Sequence, residues 1–262
     1  YLLTESYNQK ELYLYQNIWF DVKKQKFHLW DDKKGYLVVP YNKYAYVKHS
    51  NGQHVSLYGD RLKRVTNYDK DDPTLHESDV PPMTRFLVDQ YGDSDEPSVG
   101  HRVMFFDIEV EVTDGFPDIE KAQNPITSIA LYDSMTEKYF TYVFDPKERL
   151  KNYSKDDQIV EFYSTEYEML NKFYQKYLEI RPTIISGWNS DFFDIPYLYN
   201  RAIRVLGANV ASLLSPISEI NYSEFTKKHR IAGVSSLDYL LLYKQFTFTQ
   251  QSSYRLDYIG EV

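Results

Sequence analysis

The chain contains no cysteine, which excludes disulfide frameworks and thiolate zinc centres and fits a reducing cytosol. No apolar run approaches the length of a membrane span, and Tyr1-Leu2-Leu3-Thr4-Glu5 lacks the basic-then-apolar layout of a secretory signal. A cytoplasmic location without a membrane partner is therefore expected. Internal repeats and low-complexity tracts are also missing, so repeat architectures fall away. Positive charge is in deficit, with 30 Lys and Arg against 38 Asp and Glu and a formal net charge of −8. That balance argues against gripping duplex DNA over the whole surface, which favours basic faces. It leaves room for a carboxylate pocket that recruits divalent cations and stays negative until they bind.

What is present supports folded cores. Hydrophobic residues make up 42% and charged residues 26% of the 262, ordinary values for a globular protein whose length suits two domains. Tyrosine is frequent at 26 residues, and half-buried strands and core edges account for most of it ahead of base stacking.

Up to about residue 68 the pattern is of short strands: Glu11–Tyr15, Lys26–Trp30, Tyr36–Pro40 and Tyr44–Lys48, with Asn51-Gly52 as a hairpin turn into Val55–Tyr58. A polar stretch from Tyr91 to Gly100 then ends at an apolar strand. This predicts a β-rich N-terminal domain with its linker over 1–99 and a second domain over 100–262.

In the second domain, Val103–Val110, Ile126–Tyr132 and Tyr139–Phe144 read as an antiparallel meander. Thr165 and Glu168 make a capping box for a helix with Leu170, Phe173, Tyr174, Tyr177 and Leu178 on its apolar stripe, ending before Pro182. Thr183–Trp188 is a short buried strand, brought parallel to a neighbour by the helix before it. A further helix carries Ile195, Leu198, Tyr199, Ala202, Ile203 and Leu206 on one face and stops at Gly207. The fold class is α/β, a ribonuclease H-like mixed sheet with flanking helices.

Strand alternation puts Met104, Phe106, Ile108 and Val110 on one face and Phe105, Asp107, Glu109 and Glu111 on the other. A solvated edge strand explains an isolated Asp-x-Glu, but the flanking Val103-Met104-Phe105-Phe106 predicts a central strand covered on both faces. Two carboxylates there repel unless protonated or neutralised by cations. Asp194, directly before the second helix, reads as a helix cap or as a metal ligand kept ionised by the helix dipole. Together Asp107, Glu109 and Asp194 place acids at one point of the sheet, and hard oxygen ligands without His or Cys favour Mg²⁺ or Mn²⁺. Two such ions activate a water and stabilise a leaving 3′ oxygen in phosphodiester hydrolysis. Asn189 reads as a substrate hydrogen-bonder or a turn former. Phe116 reads as an exposed residue for base stacking or as a loop anchor.

Phe105-Phe106-Asp107-Ile108-Glu109 resembles the first exonuclease motif of family B DNA polymerases. Gly187-Trp188-Asn189-Ser190-Asp191-Phe192-Phe193-Asp194-Ile195-Pro196-Tyr197 resembles the second, and Glu77–Leu87 resembles the segment that precedes the first. Asp114-Gly115-Phe116-Pro117 and Ser253–Ile259 resemble tailed-phage members. The resemblance implies two-metal 3′-5′ proofreading, with Asp107, Glu109 and Asp194 as catalytic residues and metal ligands and Phe116, Asn189 and Phe193 binding substrate. It also implies a β-hairpin over Glu219–Ile231 that helps part primer from template, expected to be mobile and basic-tipped from Lys227, Lys228, His229 and Arg230.

Implied partners are a single-stranded DNA 3′ end, primer-template DNA, the remainder of a polymerase chain, and a sliding clamp with other replication proteins. The family's third exonuclease motif, Tyr-x-x-x-Asp, has no counterpart: Asp238 and Asp257 are preceded four residues earlier by Val234 and Ser253. The chain is thus expected to end before its catalytic set is complete and to trim DNA slowly, if at all. The competing readings are a free-standing DnaQ-like exonuclease, a nucleic-acid-binding module with a degenerate nuclease fold, and a structural domain for replication-partner contact.

Overall fold

The computed structural model describes residues 15–113 and 115–261. These divide between Val99 and Gly100 into two compact units. In the first, strands β1 (Tyr15–Asp21), β2 (Lys26–Asp31) and β3 (Gly35–Pro40) form an antiparallel sheet. A second sheet has the order β5-β6-β4-β7, from β4 (Ala45–Lys48), β5 (His54–Val55), β6 (Arg61–Val65) and β7 (Leu75–His76). Helix α1 (Pro82–Tyr91) starts on proline, which fits the first helical turn because its missing N–H would be unpaired there anyway.

Alternation along β2 buries Phe27 and Leu29, and Phe86 from α1 stacks on Phe27 with ring centroids 4.2 Å apart. Arg85 turns the other way, pairing with Glu77 at 2.5 Å and lying over the Tyr44 ring.

Three expectations for this unit need amendment. The strand Glu11–Tyr15 lies outside the described residues except for Tyr15, which opens β1. The chain from Ile18 to Phe20, read as no element, is the middle of that strand. Val55–Tyr58 is not the partner of β4: only His54–Val55 is strand, and β4 pairs with β6, Tyr46 opposite Arg64. The turn at Gly52 lies flat on β6, where a Cβ would come within 2.4 Å of the Leu62 backbone, so a longer β4–β5 hairpin has no room.

The second unit is built on a seven-stranded mixed sheet of order β11-β12-β10-β9-β8-β13-β16. The meander is β8 (Val103–Val110), β9 (Ile126–Asp133) and β10 (Lys138–Phe144). Beyond β10 lie β11 (Tyr153–Lys155) and β12 (Gln158–Tyr163), the latter parallel to β10. Helix α2 (Glu166–Ile180) opens with the Thr165 hydroxyl accepting the Glu168 N–H at 3.2 Å. It leads to β13 (Ile184–Gly187), which pairs parallel to β8.

Helix α3 (Asp194–Leu206) ends at Gly207, whose φ of +90° suits only glycine. A short helix α4 (Ala208–Ala211) and a 3-10 turn (Ser212–Leu214) follow. The hairpin β14 (Ile220–Ser223) and β15 (Lys228–Ile231) then leads to β16 (Ser235–Asp238), which joins β13 in parallel, and to α5 (Tyr239–Phe246) and α6 (Leu256–Glu261). Among the described residues no helix is long and apolar enough to cross a membrane.

Met104, Phe106 and Ile108 are buried with Phe173 and Tyr177 of α2 and Ile195 and Leu198 of α3. The apolar stripes sit slightly off their expected places. Met169 and Ile180 complete that of α2, with Leu178 exposed; Tyr197 is fully buried in α3, with Ile203 partly exposed. In this core the Tyr177 hydroxyl donates to the Leu214 carbonyl at 2.7 Å, while the buried Tyr142 hydroxyl has no partner among the described residues.

Two ion pairs staple the unit. Arg201 of α3 grips both carboxylate oxygens of Glu166 of α2 with its Nε–Nη2 edge and donates from Nη1 to the Ala122 and Gln123 carbonyls. Arg102 binds Asp133 through Nε at 2.7 Å and Nη2 at 2.5 Å. Those bonds hold the buried Asp133 carboxyl down to about 2. Because this lies below the ordinary carboxyl value, the pair's stabilisation is complete above about pH 4 and lost as pH falls toward 2. Asp133→Asn is expected to cost roughly 2 kcal/mol at pH 7, with the gap to the parent closing near pH 2, as urea unfolding at both pH values would measure.

Candidate active site

Strand β8 carries the acidic residues, and its alternation is as the sequence predicts: Met104, Phe106 and Ile108 face the core while Phe105, Asp107 and Glu109 face the other way. The strand is central, but its acidic face is open and not covered. Directly across on β9, Ala130 stands opposite Asp107 and Ser128 opposite Glu109. These small side chains leave the space above both carboxylates free.

Asp194 reaches the same strand from α3. Pairing between β13 and β8 stops at Ser186 and Phe105, so β13 pairs with no β8 residue beyond Phe105. The Asp194 carboxylate takes the Ile108 N–H at 3.0 Å. The approach depends on Gly187, because a Cβ there would lie 2.6 Å from the Phe106 carbonyl oxygen. Asp194 is the first residue of the helix and Phe193 precedes it as N-cap, without a side-chain capping bond.

Burial decides its charge. Loss of water, reinforced by Asp107 and Asp238 and opposed by the Ile108 N–H, lifts the Asp194 carboxyl to about 7. The expected ionisation by the helix dipole is thus overridden. Asp107 is raised too, by burial and by Glu109 beside it.

The three acids form a chain of influence, Glu109 on Asp107 and Asp107 on Asp194, and not a closed cage. Among the described residues no three His, Cys, Asp or Glu side chains stand in a metal-holding arrangement. Their chemistry nevertheless fits a hard divalent cation: all are carboxylates, and two are raised chiefly by burial and further by neighbouring carboxylates, whose charge a cation would neutralise.

The substrate candidates are placed as follows. Phe116 lies in the loop between β8 and β9, 78% exposed, its ring centroid 5.3 Å from that of Phe193. Phe193 in turn packs 5.6 Å from Tyr197 of α3, so an aromatic ledge runs beside Asp194. The loop is pinned to α3 by the Tyr197 hydroxyl on the Asn124 carbonyl and by Asn200 on the Ile119 carbonyl. Asp114 lies outside the described residues. Asn189 is a turn residue: it has a left-handed φ of +64° and its carbonyl accepts the Phe192 and Phe193 N–H groups.

Sequence reasoning missed what holds this turn. Asp238 is buried and accepts the N–H groups of Asn189 and Asp191 at 3.1 Å each while capping α5. An Asp directly before Tyr239-Leu240-Leu241-Leu242 is a readable cap signal. Asp191 is buried against Lys228 and Ser236, for which no local signal exists.

Residues 90–259 match the family profile described as DNA polymerase family B, exonuclease domain. The chain belongs to DNA polymerase family B. This family B chain is 35% identical over 189 residues to a DNA-directed DNA polymerase of Escherichia phage RB69, covering 61% of the chain and 21% of the phage protein. It is 32% identical over 188 residues to the corresponding enzyme of Enterobacteria phage T4, covering 58% and 20%. A DNA polymerase 1 of Saccharolobus solfataricus is 38% identical over 101 residues, covering 38% and 11%. The chain therefore spans about a fifth of the length of the phage relatives.

The raised Asp194 carboxyl has a measurable consequence. A carboxyl whose folded value is raised contributes stability below its ordinary value near pH 4, lost as pH climbs through about 7. In chelator-treated buffer Asp194→Asn is expected to be more stable than the parent by roughly 2–4 kcal/mol at pH 8 and equal to it at pH 4. Chemical denaturation at both pH values reads the difference.

Proposed function

We propose that residues 100–261 form a ribonuclease H-like 3′-5′ exonuclease unit that trims DNA 3′ ends during replication. The observation that carries this reading is the open acidic face of β8 meeting Asp194 beside an exposed aromatic ledge. Asp107, Glu109 and Asp194 are proposed as ligands of two divalent ions, Mg²⁺ or Mn²⁺. When bound, such ions lower the pKa of an attacking water and neutralise the leaving 3′ oxygen.

The chain's own residues supply the rest. Asp107 and Glu109, aligned two residues apart on a rigid strand, fix where charge is neutralised. Asp194 holds α3 to β8 through one carboxylate oxygen, and the other is proposed to serve the same ions. Phe116 and Phe193 are proposed to stack on the terminal bases, and the Asn189 carboxamide to hydrogen-bond the end of the strand. Neither Asp238, whose two oxygens are taken by turn and helix N–H groups, nor the exposed Asp257 stands in for a fourth acidic ligand.

The hairpin β14–β15 is proposed to help part primer from template, with Phe225 at its tip 97% exposed. Of the residues expected to make the tip basic, Lys227 pairs with Glu224 there and Lys228 turns back to Asp191, so the tip presents Phe225 beside a charge-paired Lys and Glu. The β-rich residues 15–99 are proposed as the N-terminal domain of the same polymerase. Primer-template DNA, the rest of the polymerase chain and a sliding clamp are its proposed partners, in the cytoplasm. The open arrangement of the three acids favours one second reading, a module that binds DNA without cutting it.

Release of labelled nucleotide from a single-stranded 3′ end, measured with the natural polymerase chain carrying these residues, separates the two. Trimming in Mg²⁺ or Mn²⁺ is expected, with Asp107→Ala lowering kcat by two orders of magnitude or more, roughly the loss seen when a metal site is broken; binding without trimming would favour the module. Phe116→Ala is expected to weaken single-stranded DNA binding by about 1–3 kcal/mol, readable by fluorescence anisotropy, and unchanged affinity would remove Phe116 from the site.

A further inference from the structure

The turn between β13 and α3 is gripped from a second direction, by the hairpin. The Asp191 side chain is only 5% exposed. One carboxylate oxygen accepts Lys228 Nζ at 2.6 Å and the other accepts the Ser236 hydroxyl, while the Asp191 N–H is held by Asp238. Lys228 is the first residue of β15, opposite Ser223 at the tip end of the hairpin. Its ammonium also lies 5.1 Å from the centre of the Phe192 ring. The next residue, His229, points to α3 instead, between the rings of Tyr199 and Tyr222. Lys227, by contrast, pairs only within the hairpin turn, with Glu224 at 2.7 Å.

A buried carboxylate with one cation partner tolerates little displacement of that cation, since moving it leaves the charge uncompensated. Asp191 stands three residues before Asp194, and the Asn189 and Ser190 carbonyls fix the intervening backbone. Any shift of the tip end of the hairpin is therefore transmitted through Lys228 into the turn. We infer that Lys228 is a positioning residue whose pair with Asp191 couples the placement of the hairpin to the turn presenting Asn189, Phe193 and Asp194, a role that rests on reading those residues as part of an exonuclease site.

Two measurements test it. Hydrogen exchange on metal-free protein comes first: Lys228→Met is expected to speed the amides of residues 189–193 about tenfold while α2 is unchanged, and Lys228→Arg to keep them protected. Trimming of a single-stranded 3′ end by the natural polymerase chain comes second. Lys228→Met is expected to lose about tenfold in kcat with KM little changed, the signature of a misplaced site. Lys228→Arg recovers most of that loss and Lys227→Met shows none. A parent without trimming, or with trimming that survives Asp107→Ala, overturns the exonuclease reading and leaves exchange to decide the coupling. Unchanged exchange of the turn, or an active parent whose Lys228→Met variant keeps its kcat, overturns the inference. If Lys228→Met does not fold, Asp191→Asn with Lys228→Met, which leaves no unpaired buried charge, is read in its place against the same expectations.

Discussion

The hydrogen bond from the Ile108 N–H to the Asp194 carboxylate is the constraint around which the second unit is arranged. A sheet strand that outruns its neighbour leaves amides to be satisfied, and here the start of a helix supplies the acceptor. That single contact fixes where α3 begins relative to β8, and so how far Asp194 stands from Asp107. It is an expensive way to satisfy an amide, because a carboxylate stripped of water resists ionisation, and burial pushes Asp194 well above the ordinary carboxyl range. A serine or asparagine would do the capping more cheaply. A desolvated carboxylate pushed up further by Asp107 is the kind of local conflict on which the exonuclease proposal draws.

The surroundings show how that conflict is contained. Gly187 lets the chain pass against the Phe106 carbonyl, Asp238 ties the turn to β16 and α5, and the Trp188 indole donates to the Tyr254 carbonyl at 2.9 Å. The other wall is braced as firmly, with Arg201 and Glu166 clamping the segment after Phe116 to the two core helices. Asp238, Glu166 and Arg201 are buried or half-buried polar groups with partners, which is the form in which polar networks specify one geometry. The site residues themselves lie on or beside regular elements, and the loops between them are short or pinned.

Sequence made some of this visible and concealed the rest for identifiable reasons. The acidic face of β8 was legible because a strand repeats every two residues, so Asp107 and Glu109 had to share a side whatever the fold. The cap of α2 and the stop at Gly207 were legible because they use local backbone chemistry. Errors arose where tertiary packing decided: Leu178 and Ile203 fit a helical stripe but lie at its margin, and Tyr197 is buried because its hydroxyl finds Asn124. β11 was missed because it is three exposed residues long, whereas β12, with Ile159, Val160 and Phe162, did carry a strand signal. Asp194 lies at the start of α3 as its sequence position predicts, but its ionisation was misjudged, since depth of burial is not written in local sequence. The pairing of Asp191 with Lys228 joins residues 37 apart, and nothing local to either one announces it.

Aromatic usage separates along the same lines. Buried tyrosines act as ties, their hydroxyls reaching the carbonyls of Leu214 and Asn124, which accounts for part of the tyrosine content without invoking DNA. The exposed aromatics on the elements around the proposed site include Phe116, Phe192 and Phe225, together with Tyr222 of the hairpin and Tyr239 beside Trp188. A phenyl ring offers a face and no hydrogen-bond donor or acceptor, so it stacks on any base without reading its edge. The exonuclease site proposed above, which would act on whichever nucleotide has been misplaced, is served by that indifference. The exposed rings of Phe116 and Phe192 therefore suit the proposed substrate, a strand defined by its free 3′ end and not by its sequence.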